Sequence, residues 1–237
     1  MPVLQLPQPF DFEVSTERFR AFGVDRANLW HEGGLHRVVE GRELRIEAAS
    51  GGLRVEPLAN GDAPVVLTMF GAGFDLPAFY AFAEGDPVLA RLTRELSGFR
   101  PPLAPDPFEA LVGSITAQQV SMFAAFAIRS RLIERFGERA EHAWSFPTRD
   151  RLAAASEDEL VGLGFSRRKA EYVVGLARSD LDFGELRGSP MRRRRRASCR
   201  SGAWVSGRRS GSSRAASAVR ASGPSATWRS RRPSSST

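Results

Sequence analysis

The chain has 237 residues and one cysteine, Cys199, which excludes an intramolecular disulfide and a cysteine-based zinc site. The net charge of +7 is unevenly distributed, because residues 1–187 carry 21 basic and all 27 acidic residues, while residues 188–237 carry 13 arginines and no acid. The overall charge is therefore no argument for nucleic-acid binding by the folded part. Without a membrane-length apolar run or a signal-peptide pattern, we expect a cytoplasmic protein with no membrane contact.

Residues 1–72 are predicted to form a small α/β domain around an antiparallel sheet. A helix is expected over Ser15–Phe22, with Ser15 or Thr16 as its cap. Alternating or continuous apolar runs then predict four strands, separated by turn-forming pairs such as Glu40-Gly41 and Gly51-Gly52. The predicted strands are Leu35–Val39, Leu44–Ala48, Leu53–Leu58 and Val65–Phe70.

Residues 73–187 show a helical period and are predicted to form an all-α domain. Asp106 and Pro107 are typical of a helix start, and Glu109 has the spacing of a capping box with Asp106. Ser121 is predicted to cap a second helix that ends near Gly137. Two further starts are predicted at Ser156, with Glu159 three residues on, and at Ser166.

Residues 188–237 consist almost entirely of arginine, serine, alanine and glycine. Such a segment has too few large aliphatic side chains to bury a core, so we predict that it is disordered. The predicted fold class is therefore α+β: a small N-terminal antiparallel sheet domain, an incomplete all-α domain and a basic tail.

The segment between the two best helices contains adjacent glutamines, Gln118 and Gln119, followed by Val120 and the helix cap Ser121. Amide side chains in a tight turn can hydrogen-bond base edges or fill the gap left by an extruded base. Taken alone, the same pattern is also typical of a solvated turn between helices.

The longer segments DPFEALVGSITAQQVS and FPTRDRLAAASEDELVGLGFSRRKAEYVVGLA together resemble the helix-hairpin-helix DNA glycosylase superfamily, in particular its DNA-3-methyladenine glycosylase II group. The resemblance covers about residues 8–187. It implies that Gln119 is the wedge residue beside Gln118, and we assign DNA contact to Gln118, Gln119, Val120 and Ser121. It also places Phe10 and Phe12 near the base pocket.

The resemblance further implies a monomer that binds double-stranded DNA with alkylated bases, flips an alkylated purine and hydrolyses its glycosidic bond without a metal or other cofactor. In this family a Leu-Pro-Gly-Ile/Val-Gly hairpin and an aspartate about twenty residues later should follow. Neither follows here, and no Asp or Glu occurs after Glu185. We therefore assign no catalytic residue, and two functions stay open: a glycosylase, or a catalytically inactive DNA-binding or non-functional remnant.

The tail has a reading-frame explanation. With GC-leaning codons, the stretch from Ala203 to Ser230 re-reads in the neighbouring frame as LGVGPAEWVLARGLGRPGVWPVGDLAV, which is close to the missing hairpin, helix and aspartate. A single-base deletion near the codon of Gly188 would produce the observed tail. The nucleotide sequence tests this hypothesis. An alternative is that the arginines form an arm that binds nucleic acid non-specifically.

Three further expectations concern the folded part. Arg167, Arg168 and Lys169 could contact phosphates, but we prefer the explanation that they form a solvated first helical turn. The three histidines, His31, His36 and His142, have no metal-ligand spacing and are predicted to be ordinary surface or structural residues. If four large apolar side chains over residues 106–136 stay exposed in an incomplete domain, each loses about 1.5–3 kcal/mol, so we expect marginal stability.

Overall fold

The computed structural model describes residues 3–184, and within this range the chain forms five strands and ten helices. The tail and the re-read segment lie outside the described residues. The strands are β1 (Val3–Gln5), β2 (Leu29–His31), β3 (Gly34–Val39), β4 (Arg42–Ala49) and β5 (Gly52–Glu56). The helices are α1 (Phe12–Thr16), α2 (Arg18–Ala21), α3 (Asp62–Met69), α4 (Leu76–Ala83), α5 (Pro87–Glu95), α6 (Pro107–Ala117), α7 (Met122–Phe136), α8 (Arg149–Ala154), α9 (Glu157–Gly162) and α10 (Arg167–Arg178).

The strands form one antiparallel sheet in the order β1-β5-β4-β3-β2. The predicted turn at Glu40-Gly41 is confirmed, with φ of 48° and 75°, and joins β3 to β4. The alternation in β4 is confirmed as well, since Leu44 and Ile46 are buried while Arg45 between them is partly exposed. The sequence therefore predicted the three central strands, although β5 stops at Glu56 rather than at Leu58.

The predicted strand Val65–Phe70 is wrong, because this segment lies in helix α3 and its end. Asp62 in the first turn of α3 accepts a hydrogen bond from the backbone N–H of Ala59 at 2.8 Å and pairs with Arg42 at 3.0 Å. Pro64, also in the first turn, has no N–H, which a helix start tolerates. These contacts outweigh the strand preference of the neighbouring valines.

The predicted helix Ser15–Phe22 is also incorrect in its start and its cap. Helix α1 begins at Phe12, where the Asp11 side chain accepts a hydrogen bond from the Val14 N–H at 3.0 Å. The hydroxyl of Ser15 instead accepts the backbone N–H of Arg100, 85 residues away. A second short helix, α2, follows at once.

The four helix starts predicted between residues 106 and 166 are confirmed. Asp106 accepts the N–H of Phe108, and Ser121, Ser156 and Ser166 each cap the helix that follows. The capping box at Ser156 is complete. These local signals were sufficient because each cap and its partner lie within three residues of one another.

The apolar faces of α6 and α7 are buried, so the expected exposure of their large side chains is wrong, while the marginal stability stays a prediction. They pack with α8, α9 and α10 into one hydrophobic core that contains Phe108, Val112, Ile115, Ile128, Leu132, Phe136, Leu152, Leu160, Val173 and Val174. A second core lies under the sheet and includes Phe126 of α7. All described residues belong to one compact unit. The predicted boundaries after residues 72 and 187 stay predictions.

No helix within residues 3–184 is long and apolar enough to span a membrane.

Candidate nucleic-acid interface

The loop between α6 and α7 exposes the two predicted glutamines. Helix α6 ends at Ala117, and Gln118 then turns to an extended conformation with φ −63° and ψ 131°. All four predicted DNA-contacting residues are exposed: Gln118, Gln119, Val120 and Ser121. The next residues continue this exposed surface with apolar side chains, since Phe123 is 62% accessible.

Gln119 has a left-handed backbone conformation, with φ of 54°. A non-glycine residue in this region costs about 1–3 kcal/mol and persists only where its surroundings hold it. Here the ends of the loop are held, because the Ser121 hydroxyl caps α7 and the Lys169 ammonium donates to the carbonyl of Thr116 at 2.9 Å. The two ends of the loop therefore fix the backbone position from which the exposed Gln119 side chain extends.

A cavity of about 330 Å³ borders this loop. Ala117 and Met122, which flank the glutamine loop, both line it. Its opposite walls include the buried aromatic rings of Phe19, Phe70 and Phe126. Pockets for small ligands have volumes of roughly 300–1,000 Å³ and are mostly apolar. The cavity is therefore large enough for one flat heterocycle.

One wall of the cavity holds a buried ionic network centred on Glu109, which is 1% exposed. Arg37 of β3 donates to both carboxylate oxygens of Glu109, at 2.9 and 2.5 Å. Arg129 of α7 donates to Glu109 at 2.6 Å and to Asp25 at 3.2 Å. The predicted capping role of Glu109 is therefore wrong: its side chain joins the sheet to α6 and α7.

The contacts of this network determine whether the two carboxylates of the cavity can act as bases. Burial alone would raise the pKa of Glu109, but Arg37 and Arg129 outweigh it and lower the pKa to about 2. Asp25 accepts hydrogen bonds from the backbone N–H groups of Ala27 and Asn28 as well as from Arg129. Within the described residues, Asp25 and Glu109 are the carboxylates that line the cavity. Glu109 is a very weak base, and both are already engaged.

The two predicted base-pocket aromatics lie beside the cavity wall. Phe12 is buried in the sheet core and stacks on Phe70, with ring centroids 5.8 Å apart. Phe10 contacts the edge of the same Phe70 ring at 6.0 Å. Because Phe70 lines the cavity, both residues support the wall from behind. Their assignment to the base pocket stays a prediction.

The basic residues at the start of α10 have partners within the protein. Arg167 pairs with Asp158 at 2.8 Å, and Arg168 donates to the hydroxyl of Tyr172. Burial lowers the pKa of Lys169, whose ammonium group is bound to the Thr116 carbonyl. Lys169 thus holds the glutamine loop instead of extending from a solvated turn.

The sequence did not reveal two clusters. Arg37 and Glu109 are 72 positions apart, and no local pattern connects them. The three histidines, predicted to be ordinary surface or structural residues, lie together, with ring centroids 4.6–5.6 Å apart. Only the folded chain brings these residues into contact.

Comparison with known proteins relates this chain to a family of DNA repair proteins. A family model described as HhH-GPD superfamily base excision DNA repair protein matches residues 112–215. The chain is 33% identical over 108 residues to a DNA-3-methyladenine glycosylase of Bacillus subtilis (strain 168), which is 44% of this chain and 36% of that protein. It is 35% identical over 112 residues to DNA-3-methyladenine glycosylase 2 of Escherichia coli (strain K12), covering 46% and 39%.

These matches support the helix-hairpin-helix DNA glycosylase superfamily, and within it the 3-methyladenine glycosylase group, as the family to which this chain is similar. It matches well under two thirds of the length of the two glycosylases from Bacillus subtilis and Escherichia coli. The family match begins within α6, includes the glutamine loop and continues past residue 184.

Solved structures show the same fold. A 3-methyladenine DNA-glycosylase from Archaeoglobus fulgidus superimposes with a TM-score of 0.70 and 24% identity, covering 81% of this chain and 71% of that one. The Clostridium acetobutylicum 8-oxoguanine glycosylase/lyase, in complex with dsDNA containing cytosine opposite to 8-oxoG, gives a TM-score of 0.65 at 16% identity. That match covers 82% of this chain and 68% of the glycosylase. The superfamily fold therefore extends over the sheet as well as the helices.

Proposed function

We propose that the described part of this chain is the base-flipping and base-binding part of a DNA glycosylase that removes alkylated purines from double-stranded DNA. The observation that carries the proposal is the exposed, backbone-strained Gln119 in a loop whose flanking residues, Ala117 and Met122, line an aromatic-walled cavity. A wedge beside a pocket is what base extrusion requires, since the side chain fills the gap and the pocket accepts the base.

The cavity walls suit an alkylated purine. Alkylation of a purine ring nitrogen gives the base a positive charge, and aromatic faces attract cations. The rings of Phe19, Phe70 and Phe126 supply such faces. The ionic network beside them pairs two arginines with two carboxylates, so it adds no net charge that would repel a cationic base.

Hydrolysis of the glycosidic bond needs a group that stabilises positive charge at the sugar or activates water. Glu109 is a poor candidate because two arginines hold its charge and lower its pKa to about 2. Asp25 is likewise bound by backbone N–H groups and by Arg129. In this proposal the assisting carboxylate is the aspartate of the restored reading frame, since no acid follows Glu185 in the chain as given.

A second function is a DNA-binding protein without turnover. It is favoured by the engagement of Asp25 and Glu109 and by a sequence with no acid after Glu185. The two functions share their DNA-binding surface and differ only in the chemical step.

Two assays separate them. Binding is measured with a duplex that contains an abasic-site analogue, against the undamaged duplex, and base release is measured on alkylated DNA. The same assays are run on a chain whose gene carries one inserted base near codon 188. Damage-selective binding by both chains, with release of 3-methyladenine by the restored chain, supports the proposal. Release by the original chain excludes the second function. Equal affinity for damaged and undamaged DNA contradicts both.

A further inference from the structure

All three histidines of the chain meet in one cluster. His31 ends β2, His36 lies in β3, and His142 lies in the segment that follows α7. The ring centroids of His31 and His142 are 4.6 Å apart, and those of His36 and His142 are 5.3 Å apart. The cluster therefore joins the sheet to the segment between α7 and α8.

Glu43 of β4 provides a carboxylate at the centre of this cluster. Its Oε1 lies 2.6 Å from Nδ1 of His36 and 3.3 Å from Nδ1 of His142. Its Oε2 accepts the backbone N–H groups of His142 and Ala143, at 2.8 and 3.0 Å. These four contacts fix the Glu43 carboxylate, with Oε1 directed at two imidazoles.

Nε2 of His36 is buried and lacks a hydrogen-bond partner among the described residues, and Nδ1 of His142 has only its 3.3 Å contact with Glu43 Oε1, which is not aligned as a hydrogen bond. The His36 side chain is only 7% exposed. Buried polar atoms are nearly always satisfied, because leaving one unpaired costs on the order of 1–3 kcal/mol. Unpaired imidazole nitrogens beside a buried carboxylate are typical of metal ligands, which a cation satisfies.

We propose that His36, Glu43 and His142 bind a divalent transition metal ion of the zinc type. One ligand atom from each of these residues lies within 4.8 Å of the others. Zinc binds imidazole nitrogen and carboxylate oxygen at about 2.0–2.2 Å, which sets tetrahedral ligand atoms roughly 3.3–3.5 Å apart. Small side-chain rotations convert the observed spacing to that geometry. His31 or water supplies the fourth ligand.

The site is separate from the cavity, since none of its residues is among those that line it. Glu43 lies in the sheet and His142 lies 99 positions away, in the segment after α7. A bound ion would therefore cross-link the sheet to the segment after α7. A mixed nitrogen and oxygen ligand set suits zinc or cobalt better than magnesium or calcium. The role we infer for the ion is structural.

The test uses the untagged full-length chain after treatment with a chelator and its removal. The stripped protein is dialysed against zinc or cobalt, and bound metal is counted by elemental analysis. We expect about one ion per chain, visible absorption typical of tetrahedral cobalt, and a melting temperature higher by about 5–10 °C at a zinc concentration a hundredfold above the Kd.

Three variants locate the site. His142→Asn removes a ligand from a half-exposed position, and Glu43→Gln keeps an acceptor for the two backbone N–H groups. Both should lower the bound metal at least tenfold. Glu141→Gln is the control, because its carboxylate is 80% exposed and lies 4.0 Å from His142. Circular dichroism confirms that each variant is folded. Less than one tenth of an ion per wild-type chain, or unchanged metal content in folded His142→Asn, overturns the proposal.

Discussion

The buried ionic network predicts a large effect of one isosteric substitution, Glu109→Gln. The side chain of Glu109 is 1% exposed and accepts three hydrogen bonds from Arg37 and Arg129. Removing its charge leaves the buried guanidinium group of Arg37 without its carboxylate partner and leaves Arg129 paired with Asp25 alone. Breaking a buried ion pair in this way costs about 3–5 kcal/mol, a large part of the total stability of an ordinary domain.

The lowered pKa of Glu109 leads to an expectation of the same sign for the pH dependence of stability. Its displacement from 4.5 to about 2 on folding corresponds to about 3 kcal/mol of stabilisation. Because the folded pKa is lowered, this contribution is complete above pH 4.5 and disappears as the pH falls towards 2. The wild-type free energy of unfolding should therefore fall more steeply over this interval than that of Glu109→Gln.

Urea unfolding at pH 7 and at several values between pH 5 and 2.5 measures both effects. The matched control is Glu138→Gln, which removes the same charge from an exposed pair with Arg151 and should cost less than about 1 kcal/mol. If Glu109→Gln costs no more than this control at pH 7, the network does not hold the sheet to α6 and α7. Parallel pH dependences of wild type and Glu109→Gln would likewise refute the reasoning.

Two further substitutions test the sheet and the loop. In Gly52→Ala the new Cβ would lie 1.9 Å from the carbonyl oxygen of Leu4. We therefore expect the free energy of unfolding, measured by heat or urea, to fall by about 2–3 kcal/mol. Gly73→Ala, with open space around it, is the control and should change this free energy by less than about 0.5 kcal/mol. Equal effects would contradict the close approach of β1 to β5. Gln119→Ala should weaken binding to a duplex with an abasic-site analogue about tenfold at unchanged thermal stability, while Gln5→Ala, also exposed, should not. A loss with both variants would show that Gln119 has no specific role.

The sequence was sufficient where the determining contacts are local. The caps at Asp106 and Ser121 accept N–H groups two and three residues away, so the starts of α6 and α7 follow from the local sequence alone. The glutamine loop was found for the same reason, since it is what remains between two well-marked helices. The left-handed conformation of Gln119 was not predictable, because it depends on how α6, α7 and Lys169 hold the loop.

The sequence was misleading where a distant partner decides a residue's role. Glu109 has the spacing of a cap, yet Arg37 of the sheet and Arg129 of α7 bind it. His36 and His142 show no metal spacing because they are 106 positions apart and meet only in the folded chain, beside Glu43. The strands β1 and β2, with three residues each, are too short for an alternating pattern to be visible.

The central claim is that residues 3–184 carry the DNA wedge and the base cavity. The carboxylate that assists bond cleavage comes from the C-terminal segment of the restored reading frame. This claim is tested most directly by 3-methyladenine release from alkylated DNA, measured side by side for the original chain and the chain with the restored frame. We predict damage-selective DNA binding by both and base release by the restored chain alone. Release by the original chain at the same rate would contradict the claim, since turnover would then need no carboxylate beyond Asp25 and Glu109.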